Sequence, residues 1–250
     1  MSRLVLASGS PQRRAILDDL GLAFEVRASD VAEEDEGAPR VVASENALRK
    51  ALAVAATAPD DVVLGCDTLV ATELEIADHS SGSAGSEIAD HSSGSAGSEI
   101  ADHSSGSAGS EIADHSSGSA GSEIADHSSG SAGSEIWGKP ANADAARETL
   151  KHLSGRTHQV VSGLALVQAG DVRAATEVTA VTFRDLDDAT IDWYVSTGEW
   201  EGRAGGYAIQ GRGAVLVKRI VGDYLNVVGL PVGALLDLWP SLTRDFRARP

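Results

Sequence analysis

The sequence predicts a mixed α/β fold, and three features predict it. A short apolar run, Leu4-Val5-Leu6-Ala7, passes through small residues into the amphipathic stretch Ala15-Ile16-Leu17-Asp18-Asp19-Leu20, a strand-to-helix turn. Residues 159–168 and 173–183 alternate enough to be two long paired strands, joined by Ala169-Gly170-Asp171 in an antiparallel hairpin. Helical patterns at residues 44–56, 142–153, 186–197 and 231–239 are interleaved with these strands. Mixing of this kind, with one clearly antiparallel pair, belongs to a mixed sheet covered by helices.

The elements follow in order. In Ser8-Gly9-Ser10-Pro11-Gln12-Arg13-Arg14, small residues keep the backbone open, Ser10 suits the N-cap and Pro11 the first helical position. The two arginines stand in the first turn, where the helix macrodipole disfavours cations. A bound anion explains them, and exposed N–H groups with guanidinium forks suit a polyphosphate. Solvated charges on a surface helix are the alternative. Residues 23–28 form a second strand, followed by an acidic loop at residues 30–37. In the helix at 44–56, Ala47, Leu48, Ala51, Leu52 and Ala55 share a face, with Lys50 beside it. Residues 61–66 form a buried strand that ends by delivering Asp67, and Asn142 caps the next helix. The Gly-rich segment 202–211 leads into a strand at 214–220, and Pro231 starts the last helix.

Residues 75–134 are set apart as five identical copies of Glu-Ile-Ala-Asp-His-Ser-Ser-Gly-Ser-Ala-Gly-Ser. The other 190 residues make one ordinary domain, interrupted by this insert. The repeats hold ten of the chain's 17 net negative charges, so its acidity is no sign of a basic partner. With one large apolar residue per copy, the insert is expected to be a flexible acidic loop at a hairpin tip, between residues 68–71 and 135–140. Its histidines, His79, His91, His103, His115 and His127, are conceivable as a metal string, but the wide Ser/Gly-rich spacing weighs against it. No long basic run suggests a nucleic-acid groove. The single cysteine, Cys66, excludes an intrachain disulfide and fits a reducing cytoplasm. No apolar run reaches the roughly 20 residues of a membrane span, and the N-terminal one is too short for a signal peptide.

The chemistry-bearing residues are Asp67 with Glu33 and Glu34 as carboxylates for a divalent metal or a proton, and Lys50, Lys139, Arg13 and Arg14 as cations for phosphates. Each alone is a weak signal, and a lone Asp at a strand end is more often a helix cap or a surface acid. In order, Ala7-Ser8-Gly9-Ser10-Pro11 with Arg13-Arg14, Gly65-Cys66-Asp67-Thr68, Gly138-Lys139-Pro140, Ser154-Gly155-Arg156-Thr157-His158, Ala204-Gly205-Gly206-Tyr207-Ala208-Ile209-Gln210-Gly211 and Asn226-Val227-Val228-Gly229-Leu230-Pro231 resemble the Maf family, the septum-formation-inhibitor-like nucleoside triphosphate pyrophosphatases. The resemblance covers nearly all of the chain outside the repeats.

That resemblance implies an ITPase-like mixed sheet with two lobes around a central cleft. It implies a cytoplasmic nucleoside triphosphate diphosphatase, a hydrolase that splits an acid anhydride to give the monophosphate and pyrophosphate with Mg²⁺ or Mn²⁺. By matching motif, Asp67 is the proton acceptor, Ser8, Arg13, Lys50 and Lys139 are phosphate-side residues, and Glu33 and Asp67 are metal-side. Water, activated by the metal or by Asp67, would attack the α-phosphorus. Three positions are associated with base choice. Thr68 and Gln210 match the dTTP/UTP-type subfamily, whereas Gln12 stands where that subfamily usually has Arg and the 7-methyl-GTP type has Trp. Ala32 also departs, standing where an Asp is common. A house-cleaning role against non-standard nucleotides follows. Regulation of septum formation with little turnover is the alternative, and the family often pairs as homodimers. Blander readings put Tyr207 and Ile209 in the core, make His158 a satisfied structural histidine, give Gly205 and Gly206 to a tight turn, and pack Trp193, Trp200 and Trp239 at helix faces or an interface.

Overall fold

In the computed structural model, which describes residues 3–73 and 134–243, a mixed sheet runs in the order β2-β1-β3-β5-β6-β7, with β4 paired to the far end of β3. The first half is parallel. β1 (Leu4–Leu6) lies between β2 (Phe24–Val26) and β3 (Val62–Glu73), linked through α1 (Pro11–Asp19) and α2 (Pro39–Ala55). The second half is antiparallel. β5 (Thr157–Gln168) and β6 (Asp171–Phe183) form the expected hairpin, with Ala169 and Gly170 both at positive φ in a two-residue turn. β7 (Val217–Val221) closes that edge.

Strand alternation sorts the core onto the two sheet faces. Leu4, Leu6, Val62, Leu64, Leu164 and Leu166 meet Ile16 and Leu17 of α1 and Leu235 of α6 (Val232–Leu238). Val5, Ala7, Val63, Ala165 and Val167 face the other way, onto Ala47, Ala51 and Val54 of α2. A separate core gathers Leu150 and Leu153 of α3 (Ala143–Leu153), Ile191 and Tyr194 of α4 (Asp188–Ser196), and Val160, Val181 and Phe183 of the sheet.

Several expected boundaries move. β3 does not stop at Asp67 but continues for six more residues, because Thr68 to Glu73 pair with β5 on one side and then β4 (Ser134–Trp137) on the other. Asp67 is therefore mid-strand, and Ser134 belongs to β4 rather than to the insert. The rest of the insert and its histidines lie outside the described residues. α2 begins five residues early, at Pro39, since a proline is favoured in a first turn. Its buried face is Val42, Ala43, Asn46, Ala47, Lys50, Ala51 and Val54, while Leu52 is exposed. A 3₁₀ turn at Arg212–Leu216 takes the start of the expected 214–220 strand. The short helix α5 (Tyr224–Val228), capped by the Asp223 side chain, was not expected.

Two glycines let α2 lie close to the sheet. A Cβ at Gly65 would overlap the Ala47 carbonyl, and one at Gly163 would overlap the Ala43 carbonyl. Backbone of the helix is what a side chain would strike, so the helix itself must shift. Gly163→Val is therefore expected to lower the unfolding free energy by about 1–3 kcal/mol or more, read as a lower urea midpoint. It should also reduce activity, because α2 carries Asn46 and Lys50 to Asp67.

Candidate active site

The site is a notch in the sheet. β1 pairs with β3 as far as Leu64, and β4 joins the same edge only from Val70. Between them, residues 65–69 of β3 have no strand beside them on that edge among the described residues. The notch lies beyond the carboxyl end of β1, the usual ligand crevice of a parallel sheet. Asp67 and Thr68, as strand neighbours, point to opposite faces there, so one carries the acidic side of the site and the other the basic side. The resulting cleft has a volume of about 370 Å³ and is lined by Ser8, Gln12, Arg13, Glu33, Lys50, Asp67, Thr68, Lys139 and Gln210, the residues matched by motif, but not by Arg14 or Glu34.

The basic side begins at α1. Ser10 caps the helix by accepting from the Arg13 backbone N–H, and Pro11 follows in the first turn. The Arg13 side chain turns inward and is 8% exposed. Its Nε donates to the Gly229 carbonyl at 2.9 Å, one terminal nitrogen to Ser8 Oγ at 2.8 Å, and the other to Thr68 Oγ1 at 3.0 Å. All three acceptors are neutral, and no carboxylate lies within ion-pair distance of Arg13 among the described residues. Arg14 differs, with a side chain 68% exposed beside Asp18 one turn on. Arg14 is thus a surface charge, whereas Arg13 is a buried guanidinium at the cleft.

The acidic side is centred on Lys50. Its Nζ lies 2.5 Å from Asp67 Oδ1 and 2.5 Å from Glu33 Oε1. Asn46 Nδ2 donates to the other Asp67 oxygen at 3.0 Å. Lys139, in the turn after β4 and half-exposed, stands 3.6 Å from Glu33 Oε2. Burial would raise the Glu33 carboxyl, but the Lys50 hydrogen bond and the charges of Lys50, Lys139 and Arg13 outweigh it and hold it below its usual range. Glu34 points elsewhere, to Arg49.

A family model described as Maf-like protein matches residues 3–84 and 125–241. The chain belongs to the Maf family. Residues 85–124, between the two matched segments, fall inside the repeats. Among curated relatives, the dTTP/UTP pyrophosphatase of Pyrococcus furiosus is 33% identical over 98% of this chain and all of that protein. That of Moorella thermoacetica is 38% identical over 95% of this chain and 94% of that protein. A solved structure, of the Staphylococcus aureus Ham1 protein, matches at 13% identity with a TM-score of 0.36, over 74% of this chain and 73% of that one.

In this Maf-family chain the three positions expected to bear on base choice are not alike. Thr68 Oγ1 is engaged by Arg13 and by Ser162 Oγ at 2.8 Å. Gln12 is half-buried with its Oε1 accepting from Ser10 Oγ, and Gln210 is exposed at the rim. The chemistry of the donors suits a hard divalent cation. No cluster of three or more metal-ligating side chains exists among the described residues. Two carboxylates, Glu33 and Asp67, nevertheless converge on one cation, Lys50 Nζ, and Mg²⁺ commonly takes one or two carboxylates plus substrate phosphates.

Sequence reasoning missed four parts of the site: Asn46, the Gly229 carbonyl, Ser162, and Arg203, which lines the cleft. Asn46 had a signal in being one turn before Lys50 on the same helix. The carbonyl had none, because any residue has one. Tyr207 and Ile209 are buried core residues that also line the cleft, and Gly205 and Gly206 both have positive φ. Trp200 is buried and Trp193 is exposed.

His158 is only partly satisfied. It is fully enclosed, edge-on to Phe183 and Tyr207, with Nε2 at 2.9 Å from the Tyr207 hydroxyl and no partner for Nδ1 among the described residues. Burial pushes it down to about 4. The neutral ring is the folded form, so its stabilisation is complete above pH 6.5 and is lost as pH falls toward 4. The loss is expected to reach about 3 kcal/mol. Urea midpoints between pH 7 and pH 4 should fall less steeply in the double variant His158→Phe, Tyr207→Phe, which keeps the packing and removes the titrating ring.

Proposed function

We propose that this chain hydrolyses nucleoside triphosphates to the monophosphate and pyrophosphate, favouring dTTP, UTP and modified pyrimidine nucleotides. The observation that carries the reading is Arg13, a buried guanidinium without a carboxylate partner, across the cleft from a carboxylate pair. A polyphosphate supplies the missing negative charge. The relatives named as dTTP/UTP pyrophosphatases support the choice of substrate.

In this reading Asp67 accepts a proton from water as the water oxygen bonds to the α-phosphorus. The bond from that phosphorus to the bridging oxygen breaks, and pyrophosphate leaves with the electron pair. Arg13, Ser8 and Lys139 bind the phosphates, and Arg13 also stabilises the growing charge on the leaving group. Lys50, a phosphate-side residue by motif, also holds Asp67 and Glu33 toward the same point and keeps Asp67 oriented. Glu33 and Asp67 would hold Mg²⁺ or Mn²⁺, which when bound offsets phosphate charge. Gln12 and Gln210 offer carboxamides to the base edge, while Thr68 acts there through Arg13. The activity falls in the nucleoside triphosphate diphosphatase class and serves to clear non-standard nucleotides.

The catalytic domain comprises residues on both sides of the repeats, which interrupt it at the tip of the β3–β4 hairpin. Pairing of Glu73 with Ser134 supports this, since the two ends meet without the insert. No helix among the described residues is long and apolar enough to cross a membrane. The test is pyrophosphate release from a panel of nucleoside triphosphates with Mg²⁺ or Mn²⁺, using the native chain and one with residues 74–133 replaced by a two-residue turn. Both should act, best on dTTP or UTP. Release from no nucleotide by either chain overturns the reading.

A further inference from the structure

Asn46 is 2% exposed and does not line the cleft, yet every polar position of its carboxamide is used, and one of them reaches the cleft residue Asp67. Oδ1 accepts the Glu34 backbone N–H at 2.9 Å, and Nδ2 donates to the Glu34 carbonyl at 2.8 Å. This two-point grip on one backbone unit fixes which end of the amide is which. The second Nδ2 hydrogen is then left for Asp67 Oδ2, at 3.0 Å. Arg49 closes the arrangement from outside, with one terminal nitrogen on Asn46 Oδ1 at 2.6 Å and the other on Glu34 Oε1 at 2.9 Å.

The consequence concerns Glu33. It is the residue before Glu34, in a loop with no helix or strand of its own. Lys50 draws its carboxylate in from one side, but a single long side chain cannot fix a loop backbone. Asn46 does so, one turn along α2 from Lys50. Both side chains come from a helix that Gly65 and Gly163 allow close to β3 and β5. We propose that Asn46 is a positioning residue for the reaction proposed above, on which this inference rests. One carboxamide ties the acidic loop to Asp67 and sets where the two carboxylates stand relative to each other.

The test uses the full-length chain with Asn46→Ala and Asn46→Asp. The aspartate keeps the acceptor for the Glu34 N–H but turns an oxygen toward Asp67. Removing an outer partner of this kind is expected to lower kcat by about 10- to 100-fold, more in Asn46→Asp, with KM changed by less than about threefold because the basic side is untouched. In Asn46→Ala the Glu34 amide should exchange with solvent faster while core amides of β5 keep their protection. A kcat within about twofold of the native value overturns the proposal. So does a KM rise matching the kcat loss, or a loss of β5 protection, since either marks a merely structural role. An inactive native chain would sink the proposed function instead, and unchanged Glu34 exchange in Asn46→Ala would then sink the clamp.

Discussion

Replacing Asp67 with Asn is expected to lower kcat by about 10²- to 10⁴-fold while leaving nucleotide binding largely in place, the range spanned by loss of a general base. Asn has nearly the same shape, so the cleft keeps its form. It has one acceptor where Asp67 has two, and both Asp67 oxygens are in use, by Lys50 and by Asn46. One of these contacts must become donor against donor. The cost in stability is expected to be about 1–3 kcal/mol, limited because Lys50 retains Glu33. Steady-state release of pyrophosphate reads the first effect, and calorimetric titration with an α,β-methylene analogue of dTTP reads the second. An Asp67→Asn protein with native kcat removes Asp67 from its proposed place. One with native structure but no analogue binding moves Asp67 to the binding side instead.

What could be read from the sequence divides along physical lines. Local signals survived. The Ser10-Pro11 start of α1, the Asn142 cap of α3 and the Ala169-Gly170 turn are decided within a few residues, by caps and by backbone conformations open to few residue types. Each role assigned by motif converged on one cleft because the motifs sit at element ends that the sheet order brings together. What escaped was set by long-range packing. That β3 runs on through Asp67 depends on pairing with β5, nearly a hundred residues later, and no local pattern announces it. The buried face of α2 was misread because Asn46 and Lys50 look like solvent residues. They are buried because Asp67 and Glu34 meet them there. Arg13 and Arg14 show the same limit: adjacent and chemically identical, they were separated only by where α1 docks.

That separation gives the other large expected effect. Arg13→Lys should lower kcat/KM by about 10²-fold or more, as expected for losing an aligned donor to developing charge. Arg14→Ala should change it by less than about twofold, since an exposed ion pair one helical turn apart contributes only about 0.3–0.5 kcal/mol. The conservative change fails for a geometric reason. Arg13 spans three acceptors from three elements: Ser8 before α1, Thr68 on β3 and Gly229 after α5. A lysine ammonium is a point charge on a flexible stem and cannot hold all three while facing the cleft. Its charge is retained, so a loss of activity would show that the fork, rather than the positive charge alone, matters. A binding measurement free of turnover completes the case. Pyrophosphate at about 100 times its Kd should stabilise the native chain by about 2.7 kcal/mol, seen as a rise in Tm. The rise should persist in Arg14→Ala and shrink sharply in Arg13→Lys. Equal Tm shifts in all three proteins would mean that Arg13 is held by its neutral partners for the fold alone, and the anion would have to be sought at Lys139 and Arg203, which also line the cleft.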